Sequence, residues 1–530
     1  MTTATEDKRV STGNAAYWKS ALYIMVAVLT ILRLLQLNSL ELIPDEAYYW
    51  TWSRHLAMGY YDQGPMIAYL IRATTMLCGN TEFGVRLSAC LLSAGTTLLA
   101  GALGARIFDA RAGFIAAMFI TVTPLMEVGS IIATYDPPLV FFWTLSLLCL
   151  WNALFSTTGD EGMECTRRQR LAWILTGISA GLGLLSKQTI VLLLPSLLLF
   201  LIISPKHRFW LKRPEPWTAL AIMLLCYTPV VLWNAHHHWW TFRHLLFLEH
   251  KAHHTPIHRL GDFIGSQALL VSPILFGGAI VAMTHAPRDE EGNVRLSAVF
   301  LICMAAPALL FFCFQALKAK VQGNWVPYGW ISPLVLWGGI LSARLDNPAR
   351  RQGAVTLLSM GAGTSILLML LMLFPFLRET LGVKLPAKSD MTNTAYGWKK
   401  LAGEVTQVQQ QMEQGGHKVL ICGNNYEFPS EMEFYMKGHP AAYDLFLHWK
   451  LTEYAVDTPK LKHDLGADAI FLDVWQHNDP DLRKLFTKVT WDKPILIWRK
   501  PLYPSPIGVV DLARCYNMSR YVGLKWAQGG

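Results

Sequence analysis

The sequence predicts a polytopic α-helical membrane protein with a C-terminal α/β domain. Of its 530 residues, 52% are hydrophobic and only 16% are charged, whereas soluble proteins carry about 25% charged residues. Long apolar stretches recur through residues 19–376, and the composition becomes more polar after them. Because the net charge of +9 accompanies these apolar stretches, it indicates loops beside anionic lipid and not a nucleic-acid surface.

A transmembrane helix needs about 20 apolar residues. A scan for such stretches predicts about eleven spans behind a cytoplasmic tail of residues 1–18. They lie near 19–38, 84–106, 112–130, 137–155, 171–187, 188–203, 217–233, 263–284, 297–315, 327–343 and 353–375. The spans define a membrane domain over residues 19–376, with long outer loops at 39–83 and 234–262.

The loop charges predict how this domain is oriented in the membrane. With the N-terminus in the cytoplasm, five successive cytoplasmic loops carry clusters of lysine and arginine, as the positive-inside rule requires. These clusters are Arg106 and Arg111; Arg167, Arg168 and Arg170; Lys206, Arg208, Lys212 and Arg213; Arg288 and Arg295; and Arg344, Arg350 and Arg351. The same count places residues 377–530 on the periplasmic side of the membrane.

Two segments outside the spans have patterns of their own. PMIAYLIRATTMLC in the first outer loop is apolar but too short to span, which is typical of an interfacial helix. In the tail, HKVLICGNNY, ADAIFLDVW and PILIWRK are typical of strands, and helical patterns alternate with them. This alternation predicts the α/β domain over residues 377–530.

Adjacent carboxylates follow the first span in the motif IPDEAYYW. Asp45 and Glu46 are candidate catalytic residues, because a carboxylate at the membrane edge can accept or direct the proton of an attacking hydroxyl. The alternative is that both are first-turn charges of a helix that begins at Pro44. Tyr48 in the same motif offers a stacking surface for a sugar.

The motif YYDQGP, later in the same loop, contains Tyr61, Asp62 and Gln63. We expect these residues to contact the sugar or the acceptor. The alternative is a turn in which Asp62 bonds to its own backbone before the proline.

The remaining candidates surround later spans. Asp136, between two predicted spans in ATYDPPL, is a candidate third catalytic acid, with helix capping as the alternative. The basic candidates for binding a donor phosphate are Lys187, Arg259, Lys318 and Lys320. For the lysines, the alternative is that they extend to the membrane interface as anchors.

Eight of the sixteen histidines lie between residues 236 and 258. On a helix, His250 and His254 would share a face, as would His254 and His258, and such spacing can hold a metal ion when a carboxylate completes the site. Interfacial histidines without metal are the alternative. The sequence contains no glycine-rich phosphate loop, so a soluble nucleotide cofactor is not expected.

Five segments together carry a family resemblance. They are DEAYYWTWSRHLAMGYYDQGP, TYDPPLVFFWTL, GLGLLSKQTIVLLLP, QGNWVPYGWISPLVL and NNYEFPSEMEFY. Their order resembles that of the GT-C polyprenyl-phosphate-dependent glycosyltransferases of the protein O-mannosyltransferase-like group, which includes the lipid A aminoarabinose transferases. The chain departs from many relatives at Gln63, where they carry a basic residue or histidine, and at Gly64, where they carry proline.

The resemblance implies an inverting transferase that takes a sugar from undecaprenyl phosphate or a similar carrier at the outer face of the inner membrane. The family's catalytic acid falls on Asp45, its second-loop acid on Asp136 and its membrane lysine on Lys187. Some relatives hold a divalent metal between an acid at the Asp62 position and a histidine of the long loop, so the resemblance implies a metal site formed by Asp62 with His253 or His254. The acceptor stays open among lipid A or lipopolysaccharide, another envelope glycan and protein.

A multispan lipid or sugar transporter, or a flippase, is the alternative class. That class predicts paired repeats and ionisable groups near the bilayer midplane. The sequence shows no such repeat, and its acids lie mostly in the predicted outer loops.

Overall fold

The computed structural model describes residues 3–156, 165–246, 255–383, 385–447, 451–474 and 481–520. In chain order the helices are α1 Thr3–Gln36, α2 Pro44–Arg54, α3 Met66–Cys78, α4 Glu82–Ile107, α5 Ala110–Val122, α6 Pro124–Ile131, α7 Asp136–Phe155, α8 Arg167–Ser186, α9 Leu193–Ile203, α10 Pro214–His236, α11 Trp240–Leu246, α12 Pro256–Val271, α13 Pro273–Thr284, α14 Leu296–Lys318, α15 Ile331–Asp346, α16 Pro348–Leu373, α17 Pro375–Thr380, α18 Trp398–Glu413, α19 Glu427–Tyr435, α20 Tyr454–Asp457 and α21 Leu482–Leu485. The strands are β1 Val419–Gly423, β2 Ala442–Asp444, β3 Asp468–Asp473, β4 Phe486–Trp491, β5 Ile495–Ile497 and β6 Gly508–Met518.

The chain forms two compact units. Unit 1 comprises residues 1–35, 63–67 and 86–372, and unit 2 comprises residues 36–62, 68–85 and 373–530. Most of the predicted first outer loop therefore clusters with the C-terminal residues.

Six described helices are long and apolar enough to cross a membrane, or up to eight spans if each of two bent pairs counts as one. The six are Ala15–Gln36, Glu82–Ile107, Asp136–Phe155, Pro214–His236, Leu296–Lys318 and Pro348–Leu373. The predicted count of about eleven is not confirmed. The predicted spans 171–187, 188–203 and 327–343 fall on α8, on a 3₁₀ turn followed by α9, and on α15. These helices are not among the six, because α8 has three arginines near its start and α9 and α15 are too short.

Prolines explain the two bent pairs. The predicted spans 112–130 and 263–284 each divide into two helices, α5 with α6 at 68° and α12 with α13 at 107°. The second helix of each pair begins at Pro124 or Pro273. Proline has no N–H to continue the hydrogen bonds of the preceding helix, and it disfavours helical geometry in the residue before it.

A large hydrophobic core of unit 1 is packed by aromatic and aliphatic side chains. Trp143, Leu147, Phe300 and Leu334 are fully buried within it. The helices α8 and α10 approach closely at Gly177, where an added Cβ would lie 2.5 Å from the carbonyl oxygen of Ala219. A small residue at such a crossing allows close van der Waals packing between membrane helices.

Unit 2 contains a mixed six-stranded sheet in the order β2-β1-β3-β6-β4, with β5 paired to β6. Strand β1 is parallel to both β2 and β3, whereas β6 is antiparallel to its neighbours. Successive β1 residues join different hydrophobic clusters: Ile421 packs with α18 and α19, and Leu420 and Cys422 pack on the other face. Both faces are thus covered, as expected for parallel strands.

The first-loop segments of unit 2 dock on α18 and α19. The Glu41 carboxylate accepts a 2.6 Å hydrogen bond from the Trp398 amide. The Tyr435 hydroxyl accepts a 2.7 Å bond from the Leu42 amide, and the Trp50 ring meets Phe434 edge-on at 5.0 Å. These contacts fix α2 against the C-terminal residues of the chain.

A buried ion pair ties the segment after the last apolar helix to the same unit. The Arg378 guanidinium bonds to the Asp390 carboxylate, which also accepts a 2.6 Å hydrogen bond from Tyr503. Arg378 and Asp390 are both buried. Removing one member of a buried pair leaves a charge in a poorly solvated place, which costs more than losing a surface pair.

We therefore expect Asp390→Asn to lower the free energy of unfolding by about 3–5 kcal/mol. The matched control is Asp492→Asn, because Asp492 pairs with Arg514 at 2.8 Å in a partly exposed position, and such pairs contribute about 0.2–1 kcal/mol. Thermal unfolding of the full chain in detergent measures both variants. Equal shifts of the two midpoints would contradict a buried role for Asp390.

Candidate functional site

The two adjacent acids of the first motif have different surroundings. Helix α2 begins at Pro44, and the Glu46 carboxylate accepts a 3.1 Å hydrogen bond from the Ile43 amide. Glu46 is fully buried, so the capping alternative describes its contact. Asp45 is half-buried, and its Oδ1 accepts a 2.7 Å hydrogen bond from the Tyr426 hydroxyl. Of the pair, only Asp45 is partly open to solvent.

Asp45 belongs to a group of side chains in unit 2 that we call the carboxylate–tyrosine cluster. Its members are Asp45, Tyr48, Asp62, Tyr426 and Glu453. The Tyr48 hydroxyl donates to Asp62 Oδ2 at 2.6 Å and accepts from the Glu453 amide at 2.6 Å. The Tyr48 and Tyr426 rings lie 4.7 Å apart. Two acids predicted from separate motifs are thus held by two neighbouring tyrosines.

Burial changes the proton affinity of the cluster. Burial raises the pKa of Asp62 to about 7; the Tyr48 hydrogen bond opposes this rise, and the charge of Asp45 adds to it. Burial and the charge of Asp45 also raise the pKa of the neighbouring Glu427. A carboxylate whose pKa lies near neutrality can exchange protons at physiological pH, as acid–base catalysis requires.

Tyr61 and Gln63 flank Asp62 but have different contacts. The Tyr61 amide donates to Glu453 Oε2 at 2.6 Å, and burial raises the pKa of its side chain to about 12. Gln63 falls in unit 1, where it is buried. Its side-chain oxygen has no hydrogen-bond partner among the described residues. A buried amide oxygen without a partner is costly, and it is available to a ligand donor.

Gly64 follows Gln63 and packs directly on the end of α8. An added Cβ at Gly64 would lie 2.1 Å from the carbonyl oxygen of Leu185, which is too close for any side chain. Gly64, where many relatives carry proline, thus lies at a position where the backbone of α8 approaches closely. Because Gly64 packs on Leu185, Gln63 lies near the C-terminal end of α8, which Lys187 follows.

A second arrangement of predicted residues lies within unit 1. Lys187 follows the last residue of α8 in an extended conformation, and Asp136 begins α7. Lys187 Nζ lies 2.8 Å from Asp136 Oδ1, and both side chains are buried. The ammonium also lies 4.7 Å from the centre of the Tyr135 ring. Two motifs 51 residues apart thus form one buried ion pair.

The other basic candidates have surface or capping positions. Arg259 donates 3.4 and 2.6 Å hydrogen bonds to the carbonyls of Ala316 and Leu317, near the end of α14. Lys318 is exposed and lies over the Phe314 ring at 4.2 Å. Lys320 is also exposed. The structure thus does not gather Arg259, Lys318 and Lys320 into the Lys187–Asp136 pair.

The candidate metal site is not tested. His253 and His254 lie outside the described residues, and the described part of the chain contains no group of three metal-ligating side chains suited to an ion. The Asp62 carboxylate already accepts the Tyr48 hydroxyl. A divalent cation held by Asp62 with His253 or His254 stays a prediction from the family resemblance.

Sequence reasoning missed two members of the cluster, Tyr426 and Glu453. They lie about 380 to 400 residues beyond Asp45 and Tyr48 along the chain. The motif NNYEFPSEMEFY was part of the resemblance, but nothing in it indicated that its first tyrosine would meet Asp45. Asn324, whose amide lies 3.5 Å from Asp136 Oδ2, was also missed, although its motif QGNW was noted.

Comparisons with known proteins identify similar sequences and a similar fold. Residues 62–233 match the family described as dolichyl-phosphate-mannose-protein mannosyltransferase. The chain is 28% identical over 318 residues to the lipid A galacturonosyltransferase RgtD of Rhizobium johnstonii, covering 59% of this chain and 64% of that protein. It is 29% identical over 184 residues to the undecaprenyl phosphate-alpha-4-amino-4-deoxy-L-arabinose arabinosyl transferase of Pseudomonas aeruginosa, covering 32% of this chain and 31% of that protein. The chain thus aligns with less than two thirds of either relative.

The fold has a counterpart among solved structures. ArnT from Cupriavidus metallidurans in the apo state matches with a TM-score of 0.61 at 14% identity, over 94% of this chain and 98% of that one. The same protein bound to undecaprenyl phosphate matches with a TM-score of 0.60. The chain therefore has the fold of ArnT. The resemblance inferred from its motifs is confirmed.

The buried Lys187–Asp136 ion pair of unit 1 can be tested by its contribution to stability. We expect Lys187→Met to destabilise the chain by about 3–5 kcal/mol, because Asp136 then keeps its charge without the ammonium. The double variant Lys187→Met/Asp136→Leu should recover much of this loss. Thermal unfolding in detergent measures stability, and equal midpoints for wild type and Lys187→Met would contradict the pairing.

The raised pKa of Asp62 predicts a pH dependence of stability. The folded chain holds this proton up to about pH 7, whereas an unfolded aspartate releases it near pH 4. The free energy of unfolding should therefore fall as the pH rises from about 4 to about 7. Unfolding midpoints between pH 5 and pH 8 should show a smaller fall for Asp62→Asn than for wild type. Asp492→Asn serves as the control, and parallel curves for wild type and Asp62→Asn would refute the assignment.

Proposed function

We propose that this chain is an inverting glycosyltransferase that moves a sugar from a polyprenyl-phosphate donor to an acceptor in the bacterial cell envelope. The observation that carries the proposal is the half-buried Asp45, which lies in a motif of the family resemblance and is held by Tyr426 within a GT-C fold. One relative named above is a lipid A galacturonosyltransferase, which favours lipid A as acceptor over another envelope glycan or a protein. The other is named for an undecaprenyl phosphate-linked sugar, which favours a polyprenyl-phosphate donor. The same names favour transfer over the alternative of a transporter or flippase.

We propose roles for the acids from their surroundings. The acceptor hydroxyl attacks the anomeric carbon as the bond from that carbon to the phosphate oxygen breaks. Asp45 accepts the hydroxyl proton, and the polyprenyl phosphate departs with the bonding electrons. The transition state resembles an oxocarbenium ion, and attack opposite the leaving group inverts the anomeric centre. Asp62 and Tyr48 complete the polar surface on which the acceptor would bind.

The donor phosphate needs cations, because charge accumulates on it as the glycosidic bond breaks. We propose Lys187 as a phosphate contact, with Arg259, Lys318 and Lys320 as further candidates. Lys187 is paired with Asp136 in the structure, so a bound phosphate would share the ammonium with that carboxylate. The Arg259 bonds to the end of α14 suggest that it supports the segment that carries Lys318.

We also propose the predicted membrane placement in full. In this proposal about eleven spans cross the inner membrane, with the N-terminus in the cytoplasm and residues 377–530 in the periplasm. The arginine and lysine clusters of the predicted cytoplasmic loops support this orientation. Lys320 and Arg168 are both exposed, so Lys320→Cys and Arg168→Cys test this orientation by thiol labelling of intact cells. Only the cysteine at position 320 should react from outside.

Asp45→Asn tests the catalytic assignment. We expect a loss of about 10²–10⁴-fold in transfer rate, because asparagine cannot accept the proton. The measurement is transfer of labelled sugar from a polyprenyl-phosphate donor to lipid A in membranes that contain equal amounts of protein. Asp492→Asn is the control and should keep the wild-type rate. Wild-type transfer by Asp45→Asn would exclude Asp45 as the base.

A further inference from the structure

Tyr426 occupies a rigid position in unit 2. It follows β1 at the carboxyl ends of the parallel strands β2, β1 and β3, where open α/β sheets usually bind their ligands. The loop between β1 and Tyr426 is held from both sides: Asn424 donates to Asp473 Oδ2 at 3.3 Å and accepts from the Leu447 amide at 3.1 Å. The Tyr426 carbonyl accepts a 2.7 Å bond from the Ser430 hydroxyl, which ties it to α19.

From this fixed position the Tyr426 side chain reaches the acid of the first motif. Its hydroxyl donates to Asp45 Oδ1 at 2.7 Å, and its ring packs 4.7 Å from Tyr48. Burial, together with the charge of Asp45, raises the pKa of Tyr426. The phenol therefore remains protonated, and it remains a donor, over the pH range in which the enzyme would act.

We propose that Tyr426 is a positioning residue that orients the Asp45 carboxylate for proton acceptance, so that the C-terminal α/β fold supplies part of the catalytic machinery. This inference rests on the proposed function, because it assigns Tyr426 to the same site. The physical reason is rotational. A carboxylate at the start of a helix turns about its side-chain bonds, whereas a hydrogen bond from a rigid phenol fixes one oxygen and thereby the plane of the group.

A second connection in the cluster has the same form. Glu453 lies in the C-terminal part of the chain, and its amide donates to the Tyr48 hydroxyl that in turn donates to Asp62. The Glu453 carboxylate accepts the Tyr61 amide at 2.6 Å. Tyr426 thus contacts Asp45 directly, and Glu453 contacts Asp62 through the Tyr48 hydroxyl. This repetition is what a positioning role requires, since a packing role alone would not place a hydroxyl on each acid.

The test is Tyr426→Phe, which removes the hydroxyl and keeps the ring against Tyr48. Misplacement of a reacting group by about 1 Å costs about 10²-fold in rate, so we expect kcat to fall about 10–100-fold. The KM for the polyprenyl-phosphate sugar should stay within about threefold of wild type, because Tyr426 orients the base and does not bind the donor. A general loss of folding would instead lower the amount of active enzyme and its unfolding midpoint together.

Tyr503→Phe is the matched control. It removes a hydroxyl that donates to a buried aspartate, Asp390, at 2.6 Å in the same unit, away from the cluster. We expect it to lower the unfolding midpoint and to leave kcat per folded molecule unchanged. If Tyr503→Phe and Tyr426→Phe reduced kcat equally, the Tyr426 effect would be structural and the inference would be overturned.

A double-mutant cycle separates this inference from the proposed function. In an Asp45→Asn background, Tyr426→Phe should reduce the residual rate by less than about threefold, because the group that it orients is gone. A full additional loss would mean that Tyr426 acts independently of Asp45. If Asp45→Asn abolishes transfer and Tyr426→Phe keeps the wild-type kcat, only the positioning role fails. If Asp45→Asn keeps the wild-type rate, Asp45 is not the base, and the positioning role of Tyr426 is excluded with it.

Discussion

A carboxylate that leaves bulk water needs a hydrogen-bond donor, and this requirement organises the carboxylate–tyrosine cluster and the Lys187–Asp136 pair. Asp45 and Asp62 receive hydroxyl donors from Tyr426 and Tyr48, whereas Asp136 receives the ammonium of Lys187. An unpaired charge in such surroundings costs several kcal/mol, or it loses its ionisation. The stability of each carboxylate in its buried position therefore depends on its donor.

The two kinds of donor have different chemical consequences. The hydroxyls that hold Asp45 and Asp62 are neutral, so they position these carboxylates without adding a cation. The ammonium of Lys187, held 2.8 Å from Asp136 in a buried pair, occupies that carboxylate with a cation. The surroundings thus favour Asp45 over Asp136 as the base, and they assign to Asp136 the task of holding Lys187. Glu46, which bonds the start of its own helix, has a third role as a cap.

The sheet of unit 2 gives these contacts their rigidity. Parallel strands end at a common edge, and Asn424 after β1 is bonded there to the last residue of β3, Asp473, and to Leu447, which follows β2. Because α2 packs on α19 through Trp50 and Phe434, the first motif is also held against the sheet domain of unit 2. A C-terminal domain that selects the acceptor from a distance would not need such contacts. These contacts suit a domain that supports the acids directly.

Several features were predictable from local sequence, since each depends on neighbours along the chain. Apolar stretches of spanning length predicted α4, α7, α10, α14 and α16. The pattern PMIAYLIRATTMLC predicted α3, and Pro44 predicted the start of α2. Alternating patterns after residue 395 predicted α18, β1, α19, β3 and β5, but not β2 or β6. The predicted helical pattern DPDLRKLFTKV was wrong in part, because only Leu482–Leu485 is helical and strand β4 begins at Phe486. The breaks at Pro124 and Pro273 were missed because hydropathy averages over the proline, although proline chemistry alone could have indicated them.

Sequence by itself therefore determined which side chains carry charge near the predicted ends of apolar helices, and it identified Asp45, Asp136 and Lys187 as candidates. Only the tertiary structure decided their partners: Tyr426 for Asp45, Tyr48 for Asp62 and Asp136 for Lys187. Partner choice depends on contacts between segments tens to hundreds of residues apart. Hydropathy and helical periodicity report local burial and carry no information about which distant donor meets a given acid.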